Sequence, residues 1–305
     1  MRSKLLLLDF PLLIPREFTL NFSARWACFT PDGGILCVGD GGRAILIDGS
    51  NMRSLETNTT SNLRCAAYSK SGRLLVVGNM GVVLFGDGFE RLDADCAENL
   101  RRVVWSPDGE RALIVGNNGS ALVYEYGSNL FRRVVGAVNN LRCASWPAGH
   151  EPIVAGNAFA DMFVPTPNVY RLQGDSLEPI AQEAKVDLLA VDCCVHDKFV
   201  AVGYDVVLHE PRAYLIGDSV KSLEWIAEGV YLSALAIHPK LDVGIVATSH
   251  PSGSKDRRSF AYLCTEKNVD KIYELSGYGF VCASWSLEGD RALLLASESA
   301  RTYNV

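Results

Sequence analysis

Four arginines recur at one place in a repeated phrase: Arg25, Arg64, Arg101 and Arg142. Each stands four residues before an aromatic side chain, Phe29, Tyr68, Trp105 or Trp146. A guanidinium stays charged at every physiological pH, and its planar fork of donors suits a carboxylate or a phosphate. Four such groups at equivalent places repel one another unless something answers them. The answer is either an anionic ligand or structural partners within the protein, such as backbone carbonyls, Glu98 or Asp95. Three asparagines recur as well, in Gly78-Asn79, Gly116-Asn117 and Gly156-Asn157, where the first repeat has Gly39-Asp40. Their simplest use is turn chemistry, because Gly and Asn both tolerate left-handed backbone. The side chains of Asn79, Asn117 and Asn157 are also placed to project beside the arginines.

These residues sit in a unit that repeats along the chain. Aligned on Trp105, the matching positions are Phe29, Tyr68, Trp146, Cys193, Ile237 and Trp285. They fall about 37–48 residues apart, the period of a four-stranded propeller blade. Each unit begins with an apolar strand entered at Ala24, Leu63, Leu100, Leu141, Leu188, Leu232 or Phe280. A tight turn follows, such as Pro31-Asp32-Gly33 or Pro107-Asp108-Gly109, then a second apolar strand such as Leu74–Val77, then a third. A fourth, more polar segment closes each unit except the last. The segment from Phe280 to Val305 provides three strands, so one is missing. One of two N-terminal runs, Leu5–Phe10 or Leu12–Glu17, is expected to supply it, with Pro11 and Pro15 tolerated on an outermost edge.

The pattern resembles the seven-bladed β-propellers of the WD40-like and YVTN-like superfamily. The Trp-Ser-Pro-Asp-Gly and Val-Gly-Asn-x-Gly phrases resemble those of photosystem-assembly-factor-like propellers. The Trp-Asp dipeptide of true WD40 repeats is absent. The resemblance implies an all-β fold, a seven-bladed β-propeller of four-stranded antiparallel blades, its ring closed by the N-terminal strand. The whole of 1–305 would be one domain, with 1–20 as the closing region. Blades are expected at about 21–60, 61–98, 99–138, 139–184, 185–228, 229–276 and 277–305. It also implies that first strands line a central channel and start at a top face, which carries the loops between second and third strands. The four arginines would then form an arc around about half of the channel mouth; the last three units hold Leu189, Ser233 and Val281 instead.

The second-to-third-strand loops lengthen in units four to six, at Ala158–Asn168, Tyr204–Arg212 and Ser249–Ser259. Insertions on one face of a propeller often mark its binding face. Arg212, Lys255, Arg257 and Arg258 add positive charge there, or serve only as a solvated, mobile surface.

Composition narrows the classes. With 48% hydrophobic and 21% charged residues the chain has the make-up of a globular protein with a large core. A net charge of −6 argues against a generic nucleic-acid coat, while leaving room for a local basic patch. Nine cysteines without a C-x-x-C pair read as reduced core thiols rather than metal ligands or disulfides, and point to a cytoplasmic protein. The start, Met-Arg-Ser-Lys-Leu-Leu-Leu-Leu-Asp, resembles a signal peptide, but Asp9 interrupts the apolar run and the closing strand is the preferred reading. No run approaches the length of a membrane span. The five histidines are scattered, no hydrolase, zincin or P-loop phrase is present, and only Asp187 and Asp192 stand near first-strand starts.

The residues therefore point to a binding scaffold with no catalytic residues, no metal and no cofactor. Its top face would engage a protein or peptide with acidic groups. The alternatives are an enzyme, a hydrolase or lyase with an anionic substrate in the channel, and a nucleic-acid binder using Trp26, Tyr204 or Tyr278 as stacking platforms. The last is not favoured.

Overall fold

Among the described residues, twenty-eight strands form seven four-stranded sheets. The structure is a computed structural model that describes residues 1–159, 164–183, 185–194, 198–225, 228, 231–250 and 257–298. It is a seven-bladed β-propeller, all-β, with a single short 3₁₀ turn at Asp40–Gly42 among the described residues. The chain divides into two compact units, Met1–Ala27 with Leu189–Val305, and Cys28–Leu188.

The N-terminus contributes β1 (Ser3–Asp9) and β2 (Ile14–Leu20). The first blade is β3 (Ala24–Phe29), β4 (Ile35–Gly39), β5 (Ala44–Asp48) and β6 (Asn51–Leu55). The second is β7 (Leu63–Tyr68), β8 (Leu74–Gly78), β9 (Val83–Phe85) and β10 (Glu90–Leu92). The third is β11 (Leu100–Trp105), β12 (Arg111–Gly116), β13 (Ala121–Glu125) and β14 (Leu130–Val134). The fourth is β15 (Leu141–Ser145), β16 (Ile153–Gly156), β17 (Val169–Gln173) and β18 (Ser176–Ala181). The fifth is β19 (Val186–Cys193), β20 (Phe199–Asp205), β21 (Pro211–Ile216) and β22 (Val220–Leu223). The sixth is β23 (Tyr231–Ile237), β24 (Val243–Ser249), β25 (Arg258–Thr265) and β26 (Val269–Ser276), and β27 (Gly279–Trp285) and β28 (Arg291–Ser297) open the seventh.

The seventh blade corrects the expectation of three C-terminal strands and one N-terminal one. Its order is β2-β1-β28-β27, so among the described residues each end of the chain gives two strands. Leu5 lies opposite Leu295 and Leu7 opposite Leu293. The reason is burial. Leu5, Leu6, Leu7 and Leu8 are all buried, as only a strand covered on both faces can be. The second run is mostly exposed and takes the outer edge, where Pro15 has no N–H to leave unpaired.

Second strands carry the core. Leu74, Leu75, Val76 and Val77 on β8, and Ala112 to Val115 on β12, are essentially inaccessible. Full burial of one Val or Leu side chain contributes about 2 kcal/mol. Fourth strands such as β6 and β22 are largely exposed. The aligned aromatic position ties neighbouring first strands together. Trp105 Nε1 donates to the Ala67 carbonyl on β7 at 3.0 Å, and Trp285 Nε1 to the Ala236 carbonyl on β23 at 3.1 Å. In the turn after the first strand, Gly33, Gly72, Gly109, Gly149 and Gly289 all have φ near +80°, which explains their recurrence.

Candidate anion-binding site

The position of the arginines is a β-bulge. In β7, Leu63 pairs with Gly78 and Cys65 with Val77, so Arg64 is the extra residue. In β11, Leu100 pairs with Gly116 and Arg102 with Val115, leaving Arg101 over. In β15, Leu141 pairs with Gly156 and Cys143 with Ala155, leaving Arg142 over. A bulge inserts one residue, bends the strand and re-aims its side chain. It therefore turns a half-buried arginine out of a strand whose neighbours Leu63, Leu100 and Leu141 are wholly buried. Strand β11 packs against β7 on one side and β15 on the other, so the three bulges belong to neighbouring strands.

Each arginine meets the asparagine of its own blade. Arg64 Nε donates to Asn79 Oδ1 at 2.8 Å, Arg101 Nε to Asn117 Oδ1 at 2.9 Å, and Arg142 Nε to Asn157 Oδ1 at 2.7 Å. The acids named as structural partners are engaged elsewhere: Glu98 Oε2 accepts from Asn118 Nδ2 at 3.0 Å, and Asp95 pairs with Arg133.

The glycine and asparagine of these turns are not there for left-handed backbone. The positive φ values fall on the next two residues, Met80 (57°) and Gly81 (63°), and Asn118 (52°) and Gly119 (67°). Gly78, Gly116 and Gly156 are needed for closeness instead. A Cβ on them would lie 2.5, 2.5 and 2.2 Å from the carbonyl oxygens of Asn62, Asn99 and Asn140.

Those three residues are what the sequence reading missed. Asn62, Asn99 and Asn140 each precede the first strand, in a strict Asn-Leu-Arg triplet. Their carbonyls accept the backbone N–H of Asn79, Asn117 and Asn157, all at 2.9 Å. Their side chains reach the turn of the preceding blade: Asn62 Oδ1 accepts from Gly41 N at 2.9 Å, Asn99 Oδ1 from Met80 N at 3.2 Å, and Asn140 Oδ1 from Asn118 N at 3.1 Å. A continuous hydrogen-bonded belt thus runs through four consecutive turns. It fixes the asparagines that hold the arginines.

The next position along holds Cys65, Arg102 and Cys143 on the same three strands. Burial raises the Cys65 thiol pKa and pushes that of Cys143 up to about 12, with Arg102 pulling both partly back. These thiols are protonated and unreactive at neutral pH.

The other expected site residues are more scattered. Arg25 is half-buried on β3, in the unit of the N-terminus. Arg212 is held within its own loop by Glu210 at 2.9 Å and Asp205 at 3.6 Å. Arg257 is exposed and reaches the Gly277 carbonyl at 3.5 Å, while Arg258 lies 3.9 Å from Glu274. Lys255 lies outside the described residues. Asp187 and Asp192 serve as backbone acceptors, for Ala158 N at 3.1 Å and Ile237 N at 2.9 Å. Tyr204 is buried against Tyr231, their ring centroids 4.0 Å apart. Among the described residues, no group of three His, Cys, Asp or Glu side chains is placed to hold a metal ion. No helix among them is long and apolar enough to cross a membrane.

No protein-family model matches the chain. No curated protein matches its sequence. Among solved structures, the chain is similar to the hydrazine synthase of Kuenenia stuttgartiensis, with a TM-score of 0.69 over 88% of this chain and 90% of that one. The two are 12% identical, so the likeness is one of fold alone.

Proposed function

We propose that this protein is a non-catalytic interaction scaffold of the cytoplasm, and that the bulge arginines bind an acidic segment of a partner protein. The observation that carries this reading is the threefold repetition of the Arg–Asn pair, Arg64 with Asn79, Arg101 with Asn117 and Arg142 with Asn157. The same bulge position holds Ser233 in β23 and Val281 in β27, so the scaffold does not itself require the pair. Three on consecutive blades concentrate positive charge at one end of a chain that is acidic overall. Nε is held by the asparagine, so the guanidinium is oriented before a ligand arrives, which lowers the entropy cost of binding. Charge-assisted hydrogen bonds in a partly desolvated site then supply affinity. Use of Asp187 and Asp192 as backbone acceptors favours a scaffold over a carboxylate-driven enzyme.

Thermal unfolding with a Glu/Asp-rich peptide tests this. A ligand at a hundred times its Kd stabilises the fold by about 2.7 kcal/mol. The melting temperature of the wild type should rise by a few degrees, and the rise should vanish in Arg64→Ala/Arg101→Ala. No rise in the wild type, together with a large loss of stability in the double variant, would make the arginines internal struts.

A further inference from the structure

Three turns of the sixth and seventh blades come together at the ends of the first strands remote from the bulges. They are the hairpin after β1, the turn after β23 and the turn after β27. All three belong to the unit that contains both ends of the chain. His238 locks them to one another. Its Nδ1 accepts the Lys240 backbone N–H at 3.0 Å, which leaves Nε2–H to donate to the Gly289 carbonyl, also at 3.0 Å. The imidazole meets the rings of Phe10 and Trp285, with centroids 5.4 and 4.8 Å away. Phe10 N donates to the Asp290 carbonyl at 2.8 Å. A Cβ on Gly289 would lie 2.3 Å from His238 Nε2, so the fit leaves no slack.

Each of these turns holds a leucine out in water. Leu12, Leu241 and Leu287 are 76%, 45% and 69% exposed, and Ile14, close to the first, is 61% exposed. Apolar side chains scattered singly over a surface need no explanation, but a group on adjoining turns marks an interaction surface. The turns are tied before a partner arrives, which lowers the entropy cost of binding. Side chains raised on turn tips make no groove, so they do not suit a helix that must lie in one.

The charges beside the leucines decide between partners. Lys240 pairs with Glu288 at 2.6 Å, Arg16 with Asp9 at 3.8 Å and Arg291 with Asp290 at 3.9 Å. Asp242 adds one acid. Both signs are present and almost cancel within the group. A strongly charged peptide or an anionic membrane surface therefore finds little field to follow. A second copy of the same surface fits. Related by a two-fold axis, it sets leucine against leucine and meets a rim that carries both signs. Two chains of net charge −6 then approach through a region that adds little to their repulsion.

We propose that Leu12, Leu241 and Leu287, with Ile14, form the centre of an isologous contact through which two copies of this chain pair. Sedimentation velocity on the full chain, over a wide range of concentration, reads the pairing. The wild type should pass from monomer to dimer as concentration rises. Leu12→Asp/Leu287→Asp sets carboxylates against each other across the axis and should weaken the dimer at least tenfold. Leu241→Asp alone should weaken it in the same direction. These side chains already stand in water, so each variant should keep the wild-type circular dichroism. Leu130→Asp, at an exposed leucine on β14 in the other unit, should leave the dimer unchanged. A wild type that stays monomeric at every concentration would overturn the proposal, as would a dimer that survives both the double variant and Leu241→Asp. A monomer that co-sediments with phosphatidylcholine vesicles, and is released in the double variant, would assign the leucines to a bilayer and overturn it as well. None of these results bears on the arginine site, which binds or fails independently.

Discussion

The second to fourth blades and the sixth and seventh blades share a bulge and use it differently. In β23, Leu232 pairs with Thr248 and Ala234 with Ala247, so Ser233 takes the extra position; in β27 the extra residue is Val281. Ser233 Oγ donates to the Phe280 carbonyl on the adjoining first strand at 2.7 Å, a tie between blades. Val281 has no polar group to offer. The bulge is thus a property of the scaffold, present whatever side chain occupies it. Arginine at that position in three consecutive blades, each with its own asparagine, is the departure that calls for a function.

The largest expected contrast is in the turns. A Cβ on Gly119 would lie 2.0 Å from the Ala137 carbonyl oxygen at φ +67°, whereas one on Gly277 meets nothing within 4 Å at φ +82°. Gly119→Ala should cost about 3 kcal/mol or more, because backbone must move. Gly277→Ala should cost about 1 kcal/mol, the left-handed penalty alone. Urea titrations with an unchanged m-value read both. Similar costs would mean that the belt of turns is no tighter than the loops of the other unit.

Binding should separate the two regions next. Arg64→Ala/Arg101→Ala should weaken binding of a Glu/Asp-rich peptide by more than tenfold, and Val281→Ala by less than twofold. A smaller effect is expected from the hydrogen bonds beneath. Asn99→Ala and Ser233→Ala each remove one tie between neighbouring blades, at about 1 kcal/mol of stability. Only Asn99→Ala should also lower ligand affinity, since only Asn99 supports the turns whose asparagines hold the arginines.

The smallest effect concerns the thiols. Cys143 is pushed to about 12 and Cys65 is raised, both by burial. The folded state therefore keeps protons that the unfolded state gives up above pH 9. The contribution is fully present below pH 9 and is lost as pH rises from there toward 12. At pH 8, iodoacetamide should leave Cys65 and Cys143 unlabelled in the native protein. Rapid labelling of either would place it outside the core.

Much of this fold is legible in the residues. Apolar second strands recur in every blade, and positive-φ glycines at the first turn and an aromatic at the end of the first strand recur in five of the seven, each answering a local demand. The arginine positions and their nearness to Asn79, Asn117 and Asn157 can be read from the same alignment. The bulge cannot, because one unpaired residue leaves no mark in hydrophobic periodicity. The split of the seventh blade was obscured for a similar reason: Leu5–Leu8 shows that a strand is buried, but not which partner covers it. Asn62, Asn99 and Asn140 were legible in principle. Their triplet with Leu and Arg is strict, but the partner of each side chain lies a whole blade earlier, beyond the reach of local turn rules.

The proposed function requires Arg64, Arg101 and Arg142 to engage one acidic segment together. The arginine Nε–H signals in ¹H–¹⁵N spectra report on it directly, assigned with Arg64→Lys, Arg101→Lys and Arg142→Lys. The three signals should be visible at neutral pH, slowed in exchange by their Asn acceptors, and should shift together as the Glu/Asp-rich peptide is added, with one common Kd. Three signals that stay in place while the peptide binds would put the ligand elsewhere and reduce the Arg–Asn pairs to part of the scaffold.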